Sequence, residues 1–90
     1  MADSDCWYTY MVRCSDRTLY TGIAKDPERR LQEHNTGKNG ARYTRSRRPV
    51  QLVFQEKFPT RSLAARREYQ LKQMSRTAKQ QLMQNHMSSS

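Results

Sequence analysis

Residues 19–35, LYTGIAKDPERRLQEHN, decide how this chain is read. Leu19, Tyr20 and Ile23 are strand formers. Asp26-Pro27 then supplies an N-cap residue and a first-turn proline to a segment that ends before Gly37. The stretch predicts a short strand over 19–24 running at once into a helix over 27–36. Gly22 interrupts the strand pattern, where a glycine marks either a bulge or a close approach by backbone or ligand. Packing alone gives no reason for a tyrosine and a glycine to feed into Arg29, Arg30 and His34, whereas handling a phosphate does.

Working outward, CWYTYMVRC at 6–14 is rich in aromatic and β-branched residues and suits a strand. Ser15 to Thr18 is turn chemistry, so the first two strands form an antiparallel hairpin. Val50 to Phe58 predicts a third strand, with Val50, Leu52, Phe54 and Phe58 on one face and Val53 on the other; it can pair on either edge. Thr60 caps a second helix running to about Met74, and Ser75 a third from Arg76 to about Met83. Residues 37–49 form a loop. The order is β-β-α-β-α-α, a small sheet carrying helices in one domain over 6–84, with flexible ends at 1–5 and 85–90.

Ninety residues with 34% hydrophobic content support only a thin core. Seventeen Lys and Arg against eight Asp and Glu give a net charge of +9, which points to a polyanionic partner and to nucleic acid before a membrane surface. No segment has the roughly 20 apolar residues of a bilayer span, and the N-terminus lacks the pattern of a signal peptide, so the expected location is cytoplasmic. Cys6 and Cys14 do not form a CxxC and are read as reduced thiols, with Cys14 half buried.

The combination of the strand WYTY, YTG at Tyr20 to Gly22, KDPERRLQEH and later ARREYQLK resembles the GIY-YIG nuclease domain. More narrowly it is similar to the small stand-alone YhbQ-like bacterial members, over roughly Trp7 to Leu82. The first motif here reads Tyr8-Thr9-Tyr10 in place of Gly-Ile-Tyr. The resemblance implies an α+β fold, a three-stranded antiparallel sheet flanked by helices, and metal-assisted endonuclease cleavage of DNA, in repair or processing. It places Tyr10 on the tyrosine of the first motif, Tyr20 and Gly22 on the second, Arg30 and His34 on the first helix, and Glu68 on the glutamate that holds Mg²⁺ or Mn²⁺.

The residue chemistry is compatible with that assignment. A tyrosine ionises near pH 10, so acting as a base near neutrality requires neighbouring cations, which Lys25, Arg30 and His34 can supply. From the residues alone Tyr10 and Tyr20 read first as strand aromatics filling a core, and it is the resemblance that reverses this reading. Arg30 and His34, four residues apart, share a helix face that is otherwise an ordinary solvated surface. Arg's planar fork suits two phosphate oxygens. Glu68 falls at the border of the apolar stripe Leu63, Ala64, Leu71, Met74, and its plain alternative is an i,i+4 pair with Lys72. A lone glutamate is sufficient for a hard cation that keeps most of its waters.

In the loop, Lys38, Arg42, Arg45, Arg47 and Arg48 can follow a phosphate backbone, and Tyr43 offers a ring for a base to stack on. The loop points to a nucleic acid, and the resemblance implies that the substrate is DNA, with RNA left open. The rival reading is a non-catalytic DNA- or RNA-binding module on the same fold. A shared cleft also requires Tyr10 and Tyr20 on one side of the hairpin. A strict two-residue turn at Asp16-Arg17 forbids this, so an odd-length connection or a bulge is expected.

Overall fold

The computed structural model describes residues 6–36 and 46–88. Its elements are β1 (Trp7–Arg13), β2 (Leu19–Ala24), α1 (Pro27–Thr36), β3 (Gln51–Phe58), α2 (Arg61–Gln73) and α3 (Arg76–Ser88). The strands form one antiparallel sheet in the order β2-β1-β3, so the third strand pairs with the first and the fold is α+β as expected. The helices begin where their caps predict. The Asp26 carboxylate accepts from Arg29 N–H at 3.2 Å, Thr60 Oγ1 from Leu63 N–H at 3.2 Å and Ser75 Oγ from Ala78 N–H at 3.1 Å. The last helix runs past its expected end at Met83, to Ser88.

The β1–β2 connection has the odd length that a shared face requires. The last ladder pair is Arg13 with Leu19. Beyond it Cys14 N–H donates to the Thr18 carbonyl at 2.8 Å and Arg17 N–H to the Cys14 carbonyl at 2.9 Å. Arg17 takes a φ of 71°, the left-handed residue that closes a three-residue hairpin loop. Asp16 Oδ1 accepts from both the backbone N–H and the hydroxyl of Thr18, at 3.1 and 2.6 Å. In this register Tyr10 faces Gly22 and Val12 faces Tyr20.

The third strand departs from the expected alternation. Met11 pairs with Phe54 but Val12 with Leu52, leaving Val53 as the extra residue of a bulge. Side chains before and after it therefore leave the sheet on opposite sides. Val50 and Leu52 pack with Tyr10, Val12, Cys14, Tyr20 and Leu31 under α1. Phe54 packs with Met11, Leu71 and Met83 under α2 and α3. Val50, Leu52 and Phe54 thus do not share a face, because the bulge inverts the period-two pattern.

Several polar ties fix the layers. Thr9 Oγ1 donates to the Ala64 carbonyl at 2.7 Å in a buried contact between β1 and α2. Arg67, on the edge of the apolar stripe of α2, bonds Glu56 of β3 at 2.8 Å and Gln70 at 3.2 Å. Neither Cys6 nor Cys14 is in a disulfide. Cys14 is buried rather than half buried, and that burial pushes its thiol pKa up. Among the described residues no helix is long and apolar enough to cross a membrane.

Asn35 closes the helix-to-strand junction with its side-chain amide. Its Nδ2 donates to the Val50 carbonyl at 3.2 Å and its Oδ1 accepts from the Val50 N–H at 2.8 Å, in place of a neighbouring strand. Val50 is buried, so Asn35→Ala leaves two polar backbone atoms without partners. The expected loss of stability is about 1–3 kcal/mol, read as a lower urea midpoint with an unchanged m-value.

Candidate active site

The face of β1 and β2 beneath α1 carries the chemically distinctive residues. Tyr10, 1% exposed, lies across from Gly22, where a Cβ would sit 2.8 Å from the phenol oxygen. The glycine is therefore the space the Tyr10 hydroxyl occupies. That hydroxyl is 3.1 Å from Nε2 of His34, which is fully buried. The Tyr20 ring meets the same imidazole edge-on, with centroids 5.4 Å apart. Arg30, one turn before His34 on α1, hydrogen-bonds the Tyr10 hydroxyl and also Glu33, the latter at 2.9 Å. The fold thus brings Tyr10, Tyr20, Gly22, Arg30 and His34 into one cluster.

Its electrostatics are uneven. Burial, then Tyr20, pushes the Tyr10 phenol up to about 12 despite the Arg30 guanidinium, and Glu68 adds to the rise. Burial also lowers the His34 pKa, and the Arg30 and Arg48 charges lower it further against the opposing pull of Glu33. At neutral pH the centre therefore holds a protonated phenol and a neutral imidazole. Arg30 can only donate, so the Tyr10 oxygen accepts from it. The phenol proton is then directed at Nε2 in the tautomer that carries its own proton on Nδ1.

Glu68 approaches from the other layer. On α2 it sits about 40° from Ala64, the centre of the buried stripe, and on the side opposite Arg67. Since Arg67 reaches β3, the row containing Glu68 lies toward β2. Its side chain is 24% exposed and its carboxylate is 3.3 Å from Lys72 Nζ, the i,i+4 pair expected from the sequence. Among the described residues no three His, Cys, Asp or Glu side chains converge as a metal cage. The donor set fits a hard cation held by one carboxylate and water, not a transition metal needing several protein ligands.

The basic residues divide. Lys25 Nζ lies 5.5 Å from the centroid of the Trp7 ring. Arg47 pairs with Asp16 at 3.0 Å, and its carbonyl accepts from Ser15 N–H, tying the chain before β3 to the hairpin turn. Arg48 Nε donates to the His34 carbonyl at 2.6 Å, while its buried Nη2 has no hydrogen-bond partner among the described residues. Lys38, Arg42, Tyr43 and Arg45 lie outside the described residues.

Sequence reasoning missed Glu33 and the inward role of Arg48. Glu33 was legible as the i+3 partner of Arg30 and the i+4 partner of Arg29, which it meets at 3.7 Å. Arg48 gave no signal, since its contact depends on how the chain returns from α1 to β3. An open groove of about 1610 Å³ lies away from this cluster along β3, beside Leu31, Leu52, Phe54 and Met83. Its lining includes Arg13, Arg17, Glu28, Arg76 and His86 but none of Tyr10, Tyr20, Arg30, His34 or Glu68, so it is a separate feature of the surface.

Comparison with known proteins agrees with this fold. The sequence model of a family described as the GIY-YIG catalytic domain matches residues 6–81. A UPF0213 protein of Desulfotalea psychrophila is 53% identical over 90% of this chain and 74% of its own length. One of Staphylococcus saprophyticus is 54% identical over 88% of this chain and 95% of its own. Among solved structures, an E. faecalis protein studied by NMR superposes with a TM-score of 0.62 at 42% identity, covering 94% of this chain and 90% of that one. A UPF0213 protein of Bacillus halodurans gives 0.56 at 43% identity, covering 88% and 83%.

The raised Tyr10 pKa has a stability consequence. A group whose folded pKa exceeds its unfolded value near 10 stabilises the fold fully below that value and loses the contribution as pH rises through about 12. The two-unit shift corresponds to roughly 3 kcal/mol. Between pH 9 and 12 the urea midpoint of the wild type should fall more steeply than that of Tyr10→Phe, which has no phenol to ionise; parallel curves would refute a buried, protonated Tyr10.

Proposed function

Because the chain belongs to the GIY-YIG catalytic domain family, a family of nucleases, we propose that it is a metal-dependent endonuclease cleaving DNA phosphodiester bonds in repair or processing within the cytoplasm. The single observation carrying this reading is the convergence of Tyr10, Tyr20, Arg30 and His34 on the face that Gly22 opens.

In this reading the two tyrosines divide the work by exposure. Tyr10 is sealed and remains protonated at neutral pH, so it holds Arg30 and His34 in place. Tyr20, half-buried with its ring against His34, is the phenol that meets the attacking water and takes its proton. The guanidinium of Arg30 stabilises the charge that builds on the equatorial phosphate oxygens. Tyr20 yields its own hydroxyl proton as it takes the water's, neutral His34 is the acceptor for that proton, and Glu33 offsets the resulting imidazolium. Glu68 is the residue that would hold Mg²⁺ or Mn²⁺. A bound divalent ion would supply positive charge for the phosphoryl and leaving oxygens. Arg47 and the loop residues Lys38, Arg42, Tyr43 and Arg45 are assigned to the nucleic acid, with RNA as an alternative substrate, whereas Arg48 is committed inward to the His34 carbonyl.

The competing reading, a DNA- or RNA-binding module without turnover, draws on the Glu68–Lys72 pair, which occupies the proposed metal ligand. Cleavage of single-stranded, duplex and forked DNA that requires Mg²⁺ or Mn²⁺ and is abolished by EDTA supports the enzyme. Binding that survives EDTA with no cleavage under any condition supports the module.

Two sets of variants test the assignments. Tyr20→Phe should lower kcat by about 10²–10⁴-fold, and Tyr10→Phe by less, with a shift in the pH profile; the reverse order would make Tyr10 the base. Glu68→Gln should stay folded within about 1 kcal/mol of wild type and keep its DNA affinity. Its cleavage should fall by several orders of magnitude. Full activity in the folded variant would remove Glu68 from the site.

A further inference from the structure

Trp7 opens β1 on the face covered by α2 and α3, and two cations close on its ring. Lys25 Nζ and Arg61 Cζ each lie 5.5 Å from the ring centroid. The charges are therefore within twice that distance of each other, although they arrive from the end of β2 and the start of α2. Among the described residues neither forms an ion pair. Arg61 is also the first residue of a helix whose first turn holds no acid, where the helix's own positive end disfavours a cation. An indole face attracts cations but does not neutralise them. The fold thus concentrates positive charge on a rigid aromatic support with no counter-ion among the described residues, an arrangement that serves an external anion.

Arg61 and Glu68 are seven residues apart on α2. That spacing returns to nearly the same face of the helix about 10 Å further along its axis, on the side toward β2. The pair of cations is consequently aligned with the glutamate assigned to the metal.

We propose that Lys25 and Arg61, braced on Trp7, form a phosphate subsite that grips the nucleic-acid strand to one side of the position being cleaved. The separation from Glu68 matches about three nucleotide steps at ~3.4 Å rise per strand. This subsite rests on the nuclease reading for its alignment with Glu68. Its role is to hold the strand in register, not to take part in proton transfer.

Trp7 is the chain's one tryptophan, so the subsite carries its own reporter. Wild type and the double variant Lys25→Gln/Arg61→Gln are titrated in EDTA with a short single-stranded oligothymidylate over a series of salt concentrations. Affinity and Trp7 emission are read together, and folding is checked by circular dichroism. Wild-type emission should change on binding, and the log–log salt slope of the folded double variant should be shallower by about 1.4, at about 0.7 per lost phosphate contact. Equal slopes, or wild-type emission indifferent to a bound oligonucleotide, overturn the subsite. A parallel cleavage assay in Mg²⁺ and Mn²⁺ separates the two claims. Cleavage with equal slopes overturns the subsite and leaves the nuclease reading standing, whereas a slope difference without any cleavage supports the subsite and removes the hydrolytic reading.

Discussion

The left-handed turn at Arg17 governs everything on the α1 face of the sheet. By closing the hairpin with an odd number of residues it gives β1 and β2 a register in which Tyr10, Gly22 and Tyr20 project together. A slip of one residue would send Tyr20 and Gly22 to the opposite layer and leave Tyr10 facing a side chain with a Cβ. The turn is secured three times over, by the Cys14–Thr18 backbone bonds, by Asp16 gripping Thr18, and by Arg47 reaching back to Asp16. A small domain with a thin core holds its key register by polar contacts, because its apolar area alone is too limited to do so.

Local signals made most of the fold legible. Asp26, Thr60 and Ser75 each announced a helix start through a single hydrogen bond to the backbone, a relation confined to three residues and so visible in one sequence. The parity of the hairpin followed from requiring two tyrosines on one face. The bulge at Val53 was hidden, since it arises from pairing with a strand some forty residues away and from two cores competing for one strand. Arg67 can lie at the edge of the apolar stripe of α2 because Glu56, on a strand remote in sequence from its helix face, stands opposite it. In the site, the spacing of Arg30 and His34 was readable. The division between a sealed and a half-exposed tyrosine was not, because burial is a property of the assembled layers.

The cluster also shows how burial and charge work against each other in one small volume. Desolvation holds Tyr10 protonated and His34 neutral, while Arg30 is retained as a cation by Glu33 and by the phenol. A neutral acceptor, a neutral donor and a fixed positive fork are a resting state in which little charge must be reorganised before a phosphate arrives. Glu33 is an anchor that keeps the fork in one orientation, and a phosphate offers the guanidinium the same kind of planar oxygen pair that this carboxylate does.

Because the bulge at Val53 divides β3 between two cores, with Val50 and Leu52 on one side and Phe54 on the other, the strand is clamped from above and below at once. Sequence drift along it is therefore asymmetric. Side chains may be exchanged for others of like volume, but gain or loss of a single residue anywhere from Gln51 to Phe58 would transpose the two cores. Changes of length are therefore accommodated in the flanks of the strand and not within it, which makes β3 the ruler that sets the spacing of the two cores.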